Sequence, residues 1–229
     1  MRITAFCVNL SCYLKHPLMD TTCKYVISIN REVGSGGRTI GRKLAERLGV
    51  KFYDKAVINE LVKKFELSVE EIERLKAQRH HWFFNLSQTY IEGRNIEERF
   101  GKLPPVATSK NMYKVEKELL KGIADCENCV IAGRSAFNIL RDEPNNFKIF
   151  IESTLEKRVE RMMKNRDITE EEALRTIKML DESRETYTKK FAKKSRYDSR
   201  NYDLMLNVAT LTEDEAVDII LYAFGKFMK

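Results

Sequence analysis

The sequence predicts an α/β fold in which helices flank a five-stranded parallel sheet. Three observations predict it. Five short apolar, β-branched runs recur along the chain, and helical periodicity fills most of the spaces between them. The first run stops at a glycine cluster that opens a helix. Short apolar strands alternating with amphipathic helices are covered on both faces, as parallel sheets are.

The elements follow in order. Lys24–Ile29 is a strand that ends before Gly34-Ser35-Gly36-Gly37. In the next run, Ile40, Leu44 and Leu48 recur at helical spacing and Gly49 stops the helix. Val50–Tyr53 is a second strand, and Asp54 caps the helix after it. Residues 54–125 read mostly as helix, with a capping box at Ser68 and Glu71, a break around Pro104-Pro105 and an amphipathic helix from Met112 to Ala124. Cys129–Arg134 is a buried strand ending on glycine, and Phe147–Ile151 is a fourth strand. Thr154 caps a helix carrying Arg158 and Arg161, and Thr169 with Glu172 opens a long helix to about Lys190. Tyr202–Asn207 is the fifth strand, and a last helix spans about Thr212 to Met228. Ligands of such sheets bind at the carboxyl ends of the strands. The glycine loop, Asp54, Gly133-Arg134 and Asn207 therefore share one rim.

Composition narrows the classes. With 43% hydrophobic and 33% charged residues, the 229-residue chain can build a core, which excludes global disorder. No apolar run approaches the roughly 20 residues of a membrane span. The net charge of +7 suits phosphate-bearing partners, nucleotides or nucleic acid. Five cysteines (Cys7, Cys12, Cys23, Cys126 and Cys129) are an odd, sparse set that points to a reducing compartment, hence the cytoplasm. The pair Cys126/Cys129 is half a zinc site at best and reads as a helix-to-strand connection with Cys129 entering the core. Residues 1–22 lack a clear signal-peptide pattern and read as an N-terminal extension outside the fold.

A strand, a glycine turn and a helix make a phosphate cradle: glycines let the backbone approach an anion, and the helix N-terminus adds partial positive charge. The pattern G-x-x-x-x-G-K-[ST] overlays Glu32–Thr39 with Arg38 at the lysine; a shift of one residue puts Gly37 there instead. Arg38 can fork onto two phosphate oxygens. Thr39 or Ser35 offers a hydroxyl to Mg²⁺.

Ile27–Arg38, followed by Phe52-Tyr53-Asp54, then Val130–Ser135 and Asn201–Asn207, resembles the cytidylate kinase-like family, a branch of the P-loop nucleoside monophosphate kinases. The resemblance runs from about residue 24 to the end. It implies a P-loop kinase core as one domain over 23–229, with an acceptor-binding insert at about 55–110, which in this sequence reads as helical where the family has a small β-rich insert, and a lid at about 164–200. It implies Mg²⁺-dependent transfer of the ATP γ-phosphoryl group to a nucleoside monophosphate, CMP or dCMP-like. Gly34, Ser35, Gly36, Gly37, Arg38 and Thr39 would cradle ATP. Arg134 resembles the arginine of an Asp-Gly-Arg-Asp motif that contacts the acceptor, with Asp54 and Lys55 beside it. Arg158 and Arg161 resemble arginines leading to the lid, and Asp181 and Arg184 fall where its acidic and basic residues lie. The chain departs from the family pattern at Ala132 and Ser135, which replace both flanking acids, and at Glu60, which replaces an acceptor-phosphate arginine.

Other readings attach to the same residues. Arg158 and Arg161, beside Glu156 and Glu160, also fit a solvated ion-paired helix face. His80-His81-Trp82 reads as a packing patch or a base-stacking surface. The basic aromatic run Lys189–Tyr197 suits a nucleic-acid backbone less well than the end of a lid helix. A nucleotide or RNA binder without catalysis, or a kinase for another small acceptor, is the alternative function.

Overall fold

The computed structural model describes residues 24–64, Ser68, Glu70 and 109–229. The N-terminal extension, the His80-His81-Trp82 cluster, the helix opening at Ser68 and most of the 55–110 insert lie outside the described residues. The elements are β1 (Val26–Arg31), α1 (Gly37–Leu48), β2 (Lys51–Tyr53), α2 (Lys55–Lys64), α3 (Ser109–Cys126), β3 (Cys129–Ala132), α4 (Ala136–Ile139), β4 (Asn146–Glu152), α5 (Leu155–Arg166), α6 (Glu170–Ala192), β5 (Leu204–Asn207) and α7 (Glu213–Phe227). A 3₁₀ turn at Ser199–Asn201 precedes β5. That turn and the four-residue α4 are not foreshadowed by periodicity.

All five strands are parallel, in the order β2-β3-β1-β4-β5. Val26 of β1 lies opposite both Cys129 of β3 and Asn146 of β4. Side chains alternate between the two faces, as a pleated strand requires. Cys129 and Ile131 join Ile58, Leu119 and Ile123 on the face covered by α2 and α3. Val130 joins Ile27, Ile29, Leu44, Ile220 and Phe224 on the face covered by α1 and α7. Cys129 is fully buried, and that burial pushes its thiol pKa up. Among the described residues no cluster of three potential metal-ligating side chains forms. None of the described helices is long and apolar enough to cross a membrane.

A third, smaller core lies between α5 and α6 and matters for the site. Val159, Met162, Ala173 and Ile177 close around Val33, which comes from the glycine loop. The loop is therefore anchored by an apolar side chain to helices α5 and α6.

The helix starts follow side-chain chemistry. Thr169/Glu172 and Thr212/Glu215 each form a complete capping box. Thr212 Oγ1 accepts from the Glu215 N–H at 3.2 Å, and the Thr212 N–H donates to Glu215 Oε2 at 2.8 Å. Thr212→Ala removes the cap of α7 and is expected to cost about 0.5–2 kcal/mol. A thermal melt should read this as a fall of ~2–4 °C per kcal/mol, with ligand binding unchanged because the cap lies outside the site.

Candidate active site

The parallel sheet brings the carboxyl ends of all strands to one rim, and the glycine loop crosses it at β1. Gly34 has φ +82° and Gly36, the cap of α1, has φ +84°. Both lie in the left-handed region that side chains rarely adopt. Space enforces the same choice. A Cβ on Gly34 would lie 2.7 Å from the Arg158 carbonyl oxygen, and one on Gly36 would lie 2.7 Å from Arg161 Cζ. The Arg161 guanidinium thus rests on the last turn of the loop, at the N-terminus of α1. This is a cationic, backbone-lined cradle of the kind that receives phosphate.

Arg158 lies behind the loop. It is buried, its Nε donates to the Val33 carbonyl at 2.7 Å, and its Nη1 is 3.1 Å from Glu32 Oε1. Nη2 pairs with Asp181 Oδ2. Asp181, buried on α6, also accepts from the Val33 N–H at 3.0 Å and lies 3.4 Å from Arg196 Nη1. Arg158 therefore lies on no solvated helix face. Together with Asp181 it ties the loop backbone to α5 and α6. Burial raises the Glu32 pKa, opposed by the Ser153 N–H and Arg158.

Arg184 Nη1 donates to the Arg31 carbonyl at 3.2 Å, and Arg196 Nη2 donates to the same oxygen. Arg196 is fully buried, with its guanidinium over the Phe150 and Tyr197 rings. It belongs to the basic run 189–197 and is turned inward, away from any nucleic-acid backbone. Burial, then Arg196, lowers the Arg184 pKa.

A second cluster forms at the end of β3. Gly133, Arg134 and Ser135 all have positive φ, at +88°, +55° and +53°. Two consecutive non-glycine residues there store strain of about 1–2 kcal/mol each. The turn aims Arg134 at α2 and α3. Its Nη2 bonds Asn59 Oδ1 and lies 2.9 Å from Glu116 Oε1. Glu116 is 1% exposed, and its Oε2 accepts from the Tyr187 hydroxyl of α6 at 3.0 Å. Burial raises the Glu116 pKa; Arg134, Tyr187 and Lys55 oppose the rise. Tyr113, Tyr187 and Phe191 stack beside the pair, with Tyr113 and Phe191 rings 4.3 Å apart. Among the described residues, Arg134 Nε is buried without a hydrogen-bond partner.

Asp54 stands between the two clusters. Oδ1 accepts from the Ala56 and Val57 N–H groups at 2.9 and 3.1 Å, which makes it the cap of α2. Oδ2 is 2.6 Å from Arg38 Nε. Burial would raise its pKa, but the Val57 N–H and Arg38 bring it below the ordinary value. Arg38 is thus turned to β2 and mostly exposed, and it is Arg161 that lies over the loop. Ser35 is fully buried with its hydroxyl donating to the Glu32 carbonyl at 3.0 Å, whereas Thr39 is exposed.

The structure gathers Gly34, Gly36, Arg158, Arg161, Asp181 and Arg184 at the loop, and Arg134 with Lys55 at the second cluster. Sequence reading misses Arg31, Asn59, Glu116, Tyr187 and Arg196. Glu116 had one available signal, an acid on an otherwise ordinary amphipathic helix, and that does not distinguish it from a surface residue.

Comparison with known proteins finds relatives along most of the chain. A cytidylate kinase of Caldanaerobacter subterraneus subsp. tengcongensis is 26% identical over 225 residues, covering 89% of this chain and 96% of the relative. A cytidylate kinase of Methanopyrus kandleri is 24% identical over 205 residues, covering 89% of this chain and 95% of the relative. The crystal structure of an uncharacterized protein from Eubacterium ventriosum superposes with a TM-score of 0.64 at 24% identity, covering 88% of this chain and 98% of that one. The cytidylate kinase-like family matches residues 26–210. That span runs from β1 past β5 and takes in the loop, the Arg134 turn and helices α5 and α6, so the chain belongs to the cytidylate kinase-like family.

Proposed function

We propose that the protein transfers the γ-phosphoryl group of Mg-ATP to a nucleoside monophosphate, CMP or dCMP-like, in the cytoplasm. The observation that carries this is the pairing of two cationic sites on one rim: the glycine cradle under Arg161, and Arg134 at the end of the adjacent strand β3.

Two sites are what the reaction needs. An acceptor phosphate oxygen forms a bond to the γ-phosphorus as the bond to the β,γ-bridging oxygen breaks, releasing ADP and a nucleoside diphosphate. The acceptor phosphate is already anionic at neutral pH, so no general base is required. Positioning and charge neutralisation supply the rate. The Gly34–Gly37 backbone receives the donor phosphates, while Arg161 and Arg184 neutralise charge at the transferring group. Arg158 and Asp181 hold the loop in shape. Arg134 and Lys55 anchor the acceptor, and the Tyr113/Tyr187/Phe191 stack offers aromatic surface for its base. Magnesium, when bound, would supply positive charge that neutralises the phosphates. Its protein neighbours would be the exposed Thr39 hydroxyl and, through water, Asp54. Ser35 would need to release the Glu32 carbonyl to take part.

The test is thermal melting with Mg-ATP and a panel of nucleoside monophosphates, followed by ADP release. Ligand at 100 times its Kd should stabilise by about 2.7 kcal/mol. Turnover with one monophosphate supports the proposal and identifies the acceptor. ATP stabilisation without turnover on any monophosphate overturns the acceptor assignment in favour of a binder or another small acceptor.

A further inference from the structure

Two of the positions at which the loop departs from the phosphate-loop pattern are brought into contact by the fold. Gly36 caps α1, so the pattern G-x-x-x-x-G-K-[ST] with Gly36 as its last glycine runs from residue 31 to residue 38. Its first glycine is then Arg31, its lysine is Gly37 and its Ser/Thr is Arg38. A cation and a glycine have changed places.

In the structure these two residues compete for one volume. A Cβ built on Gly37 would lie 2.7 Å from Arg31 Cβ and 3.0 Å from Arg31 Cγ. The Arg31 stem therefore fills the space into which a side chain at position 37 would project. The guanidinium continues to Gly133, where an added Cβ would overlap Nη1 and lie 3.3 Å from Cζ. The charge thus comes to rest between the glycine cradle and the turn that carries Arg134. Among the described residues no carboxylate lies within ion-pair distance of this guanidinium, although the Asp54 charge favours it, and Arg184 and Arg196 both bond to the Arg31 carbonyl. Burial, followed by the charges of Arg184 and Arg196, pushes its pKa down to about 9, so it stays cationic at neutral pH. A half-buried, crowded cation beside a cradle of backbone N–H groups is matched by an anion.

We infer that Arg31 supplies from strand β1 the phosphate-binding cation that the loop pattern places on helix α1, and that residue 37 is glycine to leave it room. This deepens the phosphotransferase reading and rests on it. Arg31 spans from donor cradle to acceptor turn, a reach that a lysine on α1 has no need of. Its planar fork can hold two phosphate oxygens at once.

The experiment measures ATP affinity by calorimetry, with melting in the absence of nucleotide as the folding control. Arg31→Met keeps the stem and removes the charge. It is expected to weaken ATP binding by about 10- to 100-fold with little change in the nucleotide-free melt. Gly37→Lys alone is expected to weaken binding too, because its stem collides with Arg31. The reciprocal variant, R31G with G37K, should recover affinity to within about tenfold of wild type, the coupling expected of residues that share one volume and one role. Wild-type affinity in Arg31→Met overturns the inference, as does a reciprocal variant no better than R31G alone. Wild-type protein that fails to bind ATP overturns the proposed function before any variant is made, so the two failures are distinguishable.

Discussion

Asp181→Asn is expected to destabilise the protein by about 3–5 kcal/mol, the cost of removing one partner from a buried charge network. At roughly 2–4 °C per kcal/mol for a chain of this size, the melting temperature should fall by some 6–20 °C. The substitution keeps the volume and leaves an oxygen that can accept from the Val33 N–H, now 3.0 Å from Oδ1. What it removes is charge. Arg158 and Arg196 are then left facing each other with Glu32 as the remaining carboxylate close to Arg158. Arg196 has no route to solvent, because it is fully buried under Phe150 and Tyr197. The same change should weaken ATP binding, because Asp181 and Arg158 are the polar ties between the loop and the helices behind it. A urea titration with and without Mg-ATP separates the two effects. A loss below about 1 kcal/mol, the size of an exposed ion pair, would mean that this network is solvated and does not brace the loop.

The elements that could be read from sequence are those whose cause is local. Thr169 with Glu172, and Thr212, announce their helices because a cap needs only residues within one turn. Asp54 and Gly49 mark boundaries for the same reason: one accepts from the next N–H groups, and the other takes φ +65°. Strands β1, β3 and β4 carry enough apolar residues to be placed within two residues of their ends. The site is legible where it is glycine, since loop geometry demands that residue type. Partnerships spanning more than 100 residues are not legible. Arg158 meets Val33 across 125 residues, and Arg184 meets Arg31 across 153. Neither contact leaves a local trace, so Arg158 looks like a surface residue beside Glu156 and Glu160, and Arg38 looks like the loop's cation. Only the packing of α5 and α6 against the loop exchanges these roles. Glu116 and Arg196 are hidden in the same way, each a charge on a helix end or face until the fold buries it.

Arg134→Ala is expected to raise the acceptor KM at least about tenfold while leaving ATP affinity unchanged, because Arg134 serves the second cluster and touches no part of the glycine loop. It should also cost about 1–3 kcal/mol, since Glu116 loses its cationic partner while remaining buried. Alanine at φ +55° keeps the backbone strain of the turn and gains nothing in return. The pH dependence separates this from general damage. Burial holds the Glu116 pKa above its ordinary 4.5, and Arg134 is the first influence opposing that rise. Between 4.5 and the raised value the folded protein keeps a proton that the unfolded chain has released. Stability contributed by this group therefore falls as pH rises through that window. Without Arg134 the folded pKa climbs further, so the window extends upward and the loss continues toward neutral pH. Melting curves from about pH 4 to 8 should show Arg134→Ala losing more stability than wild type as pH increases. Glu116→Gln should lack this group's contribution to the slope, so that removing Arg134 no longer steepens it. An Arg134→Ala variant with the wild-type slope and KM would mean that the guanidinium neither neutralises Glu116 nor meets the acceptor. A changed slope with an unchanged KM would keep the ion pair and move the acceptor elsewhere on the rim.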